Sequence, residues 1–436
     1  MSGQDRRLLM VAFHFPPFAG SSGVQRTLRF VQHLPDLGWQ TVVLSAHPRA
    51  YETTSDDLTR EIPPGTHVER AFALDTARHL SIAGRYPAAL ARPDRWISWR
   101  WRAVAAGMRL IERFKPAAIW STYPIATAHA IGRELQRRSQ LPWFADFRDP
   151  MVQDGYPADP ATWRAFKSIE SDAMQHSTRA IFCTPGAARV YRERYPGPAA
   201  GRIAVIENGF DEESFSAIDA AGKSGPLHPG RITLLHSGVI YASERDPTQF
   251  FRALGRLKRD GMLSSARLMM RFRASSNDAL LASLAAGNGI EDMIELQPSL
   301  PHRDSLVEMM RADGLVVLQA SNCNEQIPGK LYEYLRARRP ILGLTDPRGD
   351  TAQLIMRSGI NDIAPLDDEA AIAALVSRWT NEIEAGNAAV PAEAFVRTNT
   401  RSARARELAS LLDATIAREL FSTGPLNPQT QFRPRS

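Results

Sequence analysis

The strongest constraint on the fold of this chain is a regular alternation of short apolar runs with longer amphipathic stretches. A run of strand length, Leu8–Phe13, precedes a loop rich in proline and glycine and then a helical pattern at Val24–Leu37, which Gly38 ends. The next apolar run, Thr41–Ser45, completes a strand–helix–strand unit. Such a unit requires parallel strands joined by a right-handed crossover. Further runs of strand length are Ala118–Ser121, Trp143–Asp146, Ala180–Thr184 and Ile203–Glu207.

A second series of the same kind follows a stretch without periodicity. Residues Asn208–Arg231 are rich in Gly, Pro, Ser and Ala, which is typical of a linker between domains. The strands predicted beyond it are Ile232–Ser237, Leu268–Ala274, Ile294–Gln297, Leu315–Gln319 and Pro340–Thr345. The helices predicted between them are Pro247–Arg259, Asp278–Ala286, Asp304–Ala312 and Gly329–Ala337. We therefore predict an α/β protein with two doubly wound domains, which bind ligands at the carboxyl ends of their strands.

The two series set the domain boundaries that we expect. Residues 1–208 form an N-terminal Rossmann-like domain, 209–230 a linker, and 231–400 a C-terminal Rossmann-like domain. A helical pattern at 401–420 is expected to pack back on the N-terminal domain. Residues 421–436 have no periodicity and are predicted to be disordered.

Composition and charge exclude several classes of protein. The 436 residues are 44% hydrophobic and 23% charged, which allows more than one buried core. No run approaches the ~20 apolar residues of a membrane-spanning helix, and the N-terminus lacks the pattern of a signal peptide. The two cysteines, Cys183 and Cys323, do not have the spacing of metal ligands. We expect a cytoplasmic protein without a metal site.

The net charge of +6 fits an enzyme that attracts phosphate-rich or membrane-bound anionic substrates. The chain has no long block of Lys and Arg and no recognisable nucleic-acid module, so we expect no nucleic-acid partner.

The segment that follows the predicted strand Leu315–Gln319 is the most informative about function. Pro328 and Gly329 can begin a helix whose amino end presents unpaired N–H groups to a diphosphate. Lys330 in the first turn opposes the helix dipole, which is reasonable if it meets an anion. Glu333 can accept hydrogen bonds from the two hydroxyls of a ribose. The alternative for Glu333 is an ordinary solvated helix residue.

Glu325 and Glu333 have seven residues between them, and this spacing resembles the E-x7-E signature of retaining GT-B glycosyltransferases of the family-4 group. The resemblance covers residues 7 to 420. It implies that Glu325 contacts the transferred sugar and Glu333 holds the nucleotide ribose, while backbone amides, here at Gly329 and Leu331, meet donor oxygens. The chain departs from the family at Gln326-Ile327-Pro328, where Gly-Phe-Gly is often found.

The resemblance also implies the GT-B fold, in which two Rossmann-like domains face a central cleft. The N-terminal domain would bind the acceptor, and the C-terminal domain would bind a nucleotide-diphosphate sugar as co-substrate. The family needs no tightly bound cofactor or metal, because cations and helix amides stabilise the leaving diphosphate.

Two further loops resemble parts of the family's donor site. Gly20 and Gly23 lie in a segment similar to the first glycine-rich loop, where small residues let substrate approach the backbone. After the second-series strand that ends at Ser237, Gly238 is retained, Val239 replaces the usual Arg, and Arg245 can replace a Lys farther on. Arg273 could compensate for the lost Arg, or it could be a surface residue.

The segment Asp146-Phe147-Arg148-Asp149-Pro150 looks like the Asp-x-Arg-Asp-Pro segment of bacterial members. Asp146, Arg148 and Asp149 would then face the cleft and position the acceptor or the departing phosphate. The alternative is a structural Arg–Asp pair that braces the loop. His14 and Tyr123 are further candidates for the cleft, since the family's usual His is absent, and His129 is expected to be a packed or surface residue.

Arginines alternate with aromatic residues in the segment Arg95–Arg102. Such a helix could lie at a membrane interface and guide a lipid-linked acceptor. The alternative is a helix that packs its tryptophans inward and exposes its arginines.

The resemblance implies a glycosyltransferase of bacterial surface-glycan type that acts with retention of configuration. Its substrates would be a nucleotide sugar and a glycan or polyprenol-linked acceptor, in the cytoplasm or at the inner face of the cytoplasmic membrane. We expect Arg245, Lys330 and Asp149 to be catalytic. The alternatives are a sugar-nucleotide epimerase of the same architecture and a non-catalytic protein that binds a glycan or a partner.

Overall fold

The computed structural model describes residues 6–19, 23–220 and 225–422. The strands are β1 (Arg6–Val11), β2 (Trp39–Ala46), β3 (His67–Ala71), β4 (Ala118–Thr122), β5 (Trp143–Arg148), β6 (Arg179–Phe182), β7 (Ile203–Val205), β8 (Ile232–Ser237), β9 (Leu268–Arg273), β10 (Ile294–Gln297), β11 (Gly314–Leu318), β12 (Ile341–Leu344) and β13 (Ile363–Ala364). The α-helices are α1 (Gly23–His33), α2 (Thr76–His79), α3 (Trp99–Phe114), α4 (Ala126–Ser139), α5 (Pro160–His176), α6 (Pro185–Arg194), α7 (Glu212–Ala220), α8 (Thr248–Arg259), α9 (Asp278–Asn288), α10 (His302–Arg311), α11 (Gly329–Ala337), α12 (Asp350–Arg357), α13 (Glu369–Glu384), α14 (Glu393–Arg397) and α15 (Arg401–Ser422).

The strands form two parallel sheets. The seven-stranded sheet has the order β3-β2-β1-β4-β5-β6-β7, and the six-stranded sheet has the order β10-β9-β8-β11-β12-β13. In each sheet the chain first adds strands on one side of the opening strand and then crosses to the other side, at β1/β4 and at β8/β11. Ligands of open α/β sheets bind at such switch points. The predicted pair of doubly wound α/β sheets is confirmed.

The chain divides into two compact units. One contains Met1–Phe147, Met151–Ala180 and Ala405–Ser436, and the other contains Arg148–Pro150 and Ile181–Arg404. In the first unit, the buried Trp39 donates a hydrogen bond from its indole Nε1 to Asp413 of α15 at 2.8 Å. The last helix therefore belongs to the same unit as the first strands.

The second unit has an apolar cluster on each face of its sheet. Leu234 and Val316 belong to one cluster, and their neighbours Leu235 and Val317 belong to the other. Successive side chains of a strand point to opposite faces, so both faces of the sheet are covered. This double burial explains why the strands of this unit are continuous apolar runs in the sequence.

Some elements were not predicted. β3 is an edge strand whose residues are mostly half-buried, and β13 has only two residues, so neither produces a clear apolar run. The predicted linker contains α7, whose Phe215 and Ile218 are buried. Two apolar residues three positions apart are too few to show helical periodicity. Residues 423–436, most of the segment predicted to be disordered, lie outside the described residues.

Within the described ranges, no helix combines the length and the apolar character needed to cross a membrane.

Gly314 begins β11, the strand that leads to the loop of Glu325, and it has no room for a side chain. A Cβ at this position would lie 3.0 Å from Leu234 Cδ2 and 3.0 Å from the Trp379 ring atom Cζ2. Both neighbours are fully buried. We expect Gly314→Ala to destabilise the protein by about 1–3 kcal/mol, because overpacking forces buried groups to shift.

The measurement is the thermal unfolding temperature of the full chain. Gly201→Ala is the matched control, because no described heavy atom lies within 4 Å of a Cβ at that position. Equal unfolding temperatures for the two variants would contradict the tight packing at Gly314.

Candidate functional site

Two loops of the second unit lie together at the carboxyl ends of β8 and β11. The backbone N–H of Ala320, just after β11, donates to the carbonyl of Glu244 in the loop after β8 at 2.7 Å. The backbone N–H of Ser237, at the end of β8, donates to the hydroxyl of Tyr334 in α11 at 2.8 Å. These bonds place the predicted donor-side residues of both loops at one edge of the sheet.

In the loop after β8, the backbone at Gly238 is accessible, and the positive charge of Arg245 has no acidic partner among the described residues. Gly238 has a φ of +148°, which favours glycine, and no described heavy atom lies within 4 Å of a Cβ at this position. Arg245 donates from Nη1 to the carbonyl of Val239 at 2.8 Å, and its guanidinium lies 5.4 Å from the centroid of the Tyr241 ring. Among the described residues, no carboxylate pairs with Arg245. A half-buried cation beside an open backbone is suited to an anionic ligand.

The loop after β11 fixes the backbone of Glu325 and leaves its carboxylate available. The hydroxyl of Thr184 donates to the carbonyl of Glu325 at 2.5 Å. The next carbonyl, that of Gln326, accepts hydrogen bonds from Thr351 at 3.0 Å and from Gln319 at 3.1 Å. In the part of the chain that the structure describes, the Glu325 carboxylate has no hydrogen bond or ion pair. It is therefore a positioned acceptor without a protein donor.

Glu333 is held by two cationic or polar partners. His302 Nε2 lies 3.2 Å from Oε1, and Lys330 Nζ lies 2.8 Å from Oε2. Burial alone would raise the pKa of Glu333, but the hydrogen bond from His302 and the charge of Lys330 outweigh it and lower the pKa to about 2. The side chain is only 13% exposed, so the solvated helix residue considered as an alternative is not what the structure has. Glu333 is a fixed anion.

The start of α11 differs in part from what the resemblance implies. Gly329 is exposed, and no described heavy atom lies within 4 Å of a Cβ there, so its backbone can be approached. The side chain of Leu331 is fully buried, and its N–H donates to the carbonyl of Pro328 at 2.9 Å. A donor contact through the Leu331 amide would require this bond to open.

His302 and Tyr334 are site residues that the sequence analysis missed. His302 begins α10 and lies 31 positions from Glu333, so no spacing in the sequence connects them. Tyr334 follows Glu333 directly in Tyr-Glu-Tyr. The expectation that a buried tyrosine needs a partner for its hydroxyl could have singled it out.

The suggested roles of Arg273 are both wrong. Its side chain is buried, and Nε and Nη2 donate to the two carboxylate oxygens of Glu308 at 2.8 and 2.6 Å. Nη1 donates to the carbonyl of Pro298 at 2.6 Å. Arg273 is therefore neither a surface residue nor a replacement for the missing phosphate ligand at Val239.

In the first unit, Asp146 is the centre of a buried ion pair. Arg26 of α1 donates to its two oxygens at 3.0 and 2.8 Å, and Thr122 donates to Oδ2 at 2.9 Å. Asp146 is fully buried, and Arg26 is 7% exposed. The alternative of an Arg–Asp pair that braces the loop therefore holds for Asp146, with Arg26 as the arginine.

The other residues predicted for the first domain have different exposures. His14 is 8% exposed and stacks on Phe18 at 4.5 Å between ring centroids. Tyr123 is 3% exposed, so almost all of its side chain lies inside the unit. His129 is packed, as expected, and burial lowers its pKa to about 4. Gly23 begins α1, while Gly20 lies outside the described residues.

Arg148 has a strained backbone. Its φ is +61°, which is uncommon for a residue with a side chain and is most often retained at functional sites. Its carbonyl accepts a hydrogen bond from the N–H of Cys183 at 3.4 Å. The next residue, Asp149, is exposed.

The described residues contain no group of three or more His, Cys, Asp or Glu side chains that could hold a metal ion.

Comparison with known proteins finds a family model that matches part of the chain. Residues 22–209 match the family described as the glycosyl transferase 4-like domain. That stretch, which is less than half of the chain, is therefore similar to glycosyl transferase 4-like domains. No curated protein matches the sequence.

Solved structures give the fold of the whole chain. Trehalose 6-phosphate synthase from Burkholderia multivorans is similar with a TM-score of 0.65 and 12% identity, over 97% of this chain and 100% of that chain. HepE from Anabaena in complex with UDP-glucose has a TM-score of 0.56 and 13% identity, over 96% and 99%. A putative UDP-N-acetylglucosamine 2-epimerase from Listeria monocytogenes has a TM-score of 0.55 and 12% identity, over 95% and 98%. The chain has the GT-B fold, as predicted.

The pairing of Glu333 predicts a pH effect on stability. Without Lys330 and His302, burial would be unopposed and would raise the folded-state pKa of Glu333 above its ordinary value of 4.5. A raised pKa means that stability is lost as the pH rises through it. We expect the double variant Lys330→Met/His302→Ala to be destabilised by about 1–3 kcal/mol at pH 8 and by less at pH 5. Thermal unfolding at both pH values measures the difference.

The control adds Glu333→Gln to the double variant. It removes the buried charge, so it should restore stability at pH 8 and abolish the pH dependence. A glutamine variant no more stable than the double variant would show that Glu333 is not a buried anion that depends on these two partners.

Proposed function

We propose that this protein is a glycosyltransferase that uses a nucleotide-diphosphate sugar and retains the anomeric configuration. The proposal rests on one observation: the charged groups of Arg245, Glu325 and Glu333 lie at one edge of the second sheet and differ in how they are paired. Among the residues that the structure describes, Arg245 has no anionic partner and the Glu325 carboxylate has no donor. Glu333 is a fixed anion. Such a set offers separate contacts to a diphosphate, a sugar and a ribose. The similarity of residues 22–209 to the glycosyl transferase 4-like domain supports this proposal.

In the proposed donor complex, Glu333 accepts hydrogen bonds from the ribose hydroxyls. Its oxygens are already aligned by His302 and Lys330, so little ordering is required on binding. Lys330, at 37% exposed, can turn from Glu333 to the diphosphate when the ribose takes its place. The open backbone at Gly238 and Gly329 lets the phosphates approach, and the amino end of α11 adds its partial positive charge.

In the proposed reaction, the bond from the anomeric carbon to the diphosphate oxygen breaks, and a bond to the acceptor oxygen forms on the same face of the sugar. The acceptor's proton passes to the leaving diphosphate. Arg245 and Lys330 stabilise the negative charge that develops on that diphosphate. Glu325 holds a hydroxyl of the transferred sugar. No protein group needs to act as the base.

For the acceptor we propose a hydroxyl of a glycan or of a polyprenol-linked sugar, at the inner face of the cytoplasmic membrane. His14, Arg148 and Asp149 are the proposed acceptor-side contacts. Asp146 acts indirectly, because its pair with Arg26 fixes α1 to the end of β5. Tyr123 is too buried to contact more than the edge of a bound sugar.

A sugar-nucleotide epimerase is the second candidate, since the solved Listeria epimerase has the same fold. Both enzymes would bind the donor, so binding does not separate them. An epimerase converts the donor without an acceptor, whereas a transferase releases nucleotide in proportion to the acceptor supplied.

Arg245 provides the first test of the donor site. We expect Arg245→Met to weaken binding of UDP, GDP or ADP, whichever stabilises the wild type, by about 10- to 150-fold, since a hydrogen bond to a charged group contributes about 1.5–3 kcal/mol. Binding of the corresponding nucleoside should be unchanged, whereas Glu333→Ala should weaken both ligands. Ligand-induced shifts in unfolding temperature measure these effects.

Arg252→Met is the matched control for Arg245. Arg252 is exposed, and its guanidinium donates to Gln249 of the same helix at 3.4 Å, so its loss should leave binding unchanged. Equal effects of the two substitutions, or full binding by Glu333→Ala, would remove the proposed contacts.

The reaction itself is tested with the nucleotide sugar that binds. We expect release of nucleotide only when a glycan or lipid-linked acceptor is present, and a product whose anomeric configuration, read by proton NMR, equals that of the donor. Conversion of the donor alone would establish the epimerase. Tight binding without any conversion, across a panel of acceptors, would establish a binding protein.

A further inference from the structure

The tryptophans of the Arg95–Arg102 segment divide into two groups. Trp99 is fully buried, and Trp96 donates from Nε1 to the carbonyl of Ala50 at 3.1 Å. Trp101 is 68% exposed. The inward packing considered as the alternative therefore holds for Trp96 and Trp99, while Trp101 is a large apolar group in contact with solvent.

Exposed apolar side chains continue through the segment that precedes these tryptophans. Ile82 is 84% exposed, and Leu90 is 48% exposed. Leu80 and Tyr86 between and beside them are also exposed. Single exposed apolar residues are ordinary, but a group of them within one short segment marks an interaction site. We call residues 78–102 the basic–apolar surface.

The charge of this surface is almost entirely of one sign. Residues 78–102 contain six arginines and a single acidic residue, Asp94. Two of the arginines, Arg92 and Arg95, form ion pairs with Asp159 and Glu52 outside the segment. The Asp94 carboxylate accepts hydrogen bonds from the N–H and hydroxyl of Thr127 at 2.8 and 2.9 Å. It therefore serves to hold the segment and does not neutralise Arg85, Arg100 and Arg102, which are exposed.

Hydrogen bonds hold the basic–apolar surface in place. The hydroxyl of Thr76 donates to the carbonyl of Leu90 at 2.8 Å, and its N–H donates to the carbonyl of Arg95 at 2.8 Å. Ile82 and Arg85 form a small hairpin bridge. The apolar side chains are thus presented by a fixed backbone and do not fold into the unit.

The basic–apolar surface is packed directly against the loop that follows β1 and contains His14. The rings of Phe13 and Trp96 lie 4.7 Å apart, and those of Phe13 and Trp99 lie 5.8 Å apart. Phe13 in turn contacts His14 and Phe18 of that loop. A membrane at this surface would place lipid headgroups close to the loop that contains His14.

We propose that the basic–apolar surface docks this protein on an anionic lipid bilayer, so that its acceptor is a lipid-linked molecule. Apolar side chains enter the interface, and arginines pair with anionic headgroups; the two signals together give stable binding. Arg85, Arg100 and Arg102 are exposed beside this apolar centre, and a neutral membrane would not need them. The lipid-linked nature of the acceptor rests on the proposed function, whereas membrane binding does not.

The test is flotation of the full chain with two kinds of vesicle, phosphatidylcholine alone and phosphatidylcholine with one quarter phosphatidylglycerol. The wild type should float with the second kind only. Ile82→Asp/Leu90→Asp should abolish flotation, and Arg85→Glu/Arg100→Glu should weaken it by at least about 25-fold, at roughly fivefold for each arginine lost. Val390→Asp, an exposed apolar residue of the second unit, is the matched control and should float normally.

Nucleotide-induced shifts in unfolding temperature are measured on each variant to show that the variant is folded. They also distinguish failure of the membrane inference from failure of the donor-site proposal. A wild type that binds nucleotide but does not float overturns the membrane inference alone. One that floats but binds no nucleotide overturns the donor site alone. Flotation of Ile82→Asp/Leu90→Asp at the wild-type level, or equal flotation with both vesicles, would also overturn the inference.

Discussion

Parallel pairing of β8 with β11 is the constraint on which the candidate donor site depends. Because the strands run in the same direction, the loops that follow them emerge at one edge, although 80 residues separate His236 from Val316 across the pair. The bond between Ser237 and Tyr334 then fixes α11 to that edge. Every proposed donor contact lies on one of these two loops or on the first turns of α11, so the sheet determines their spacing.

Much of this arrangement could be predicted from the sequence. The buried strands appear as apolar runs, and Gly329 begins α11 as the Pro-Gly pair indicates. Contacts between distant residues could not be predicted. Arg26 and Asp146 are 120 positions apart, and His302 has no pattern that connects it to Glu333. A buried Asp is expected to have a cation or hydrogen-bond donors as partners, but the sequence does not show which residue supplies them.

The candidate donor site separates charges that serve structure from charges that are available to a ligand. Arg273 and Glu308 satisfy each other in the interior, as do Arg26 and Asp146 in the first unit, and a ligand would have to break them at high cost. Arg245 and Glu325 lie in loops whose backbones are fixed by other groups, so their side chains can bind without rearrangement of the fold. Glu333 has properties of both groups of charges. It is paired with Lys330 and His302, but these partners are partly exposed, so a ligand can replace them.

The bond between Trp39 and Asp413 has a consequence for how the chain becomes a folded protein. The strands of the first unit are synthesised early, whereas α15, which accepts the hydrogen bond of Trp39, is synthesised after the whole second unit. The first unit therefore cannot complete its contacts during translation until α15 has left the ribosome.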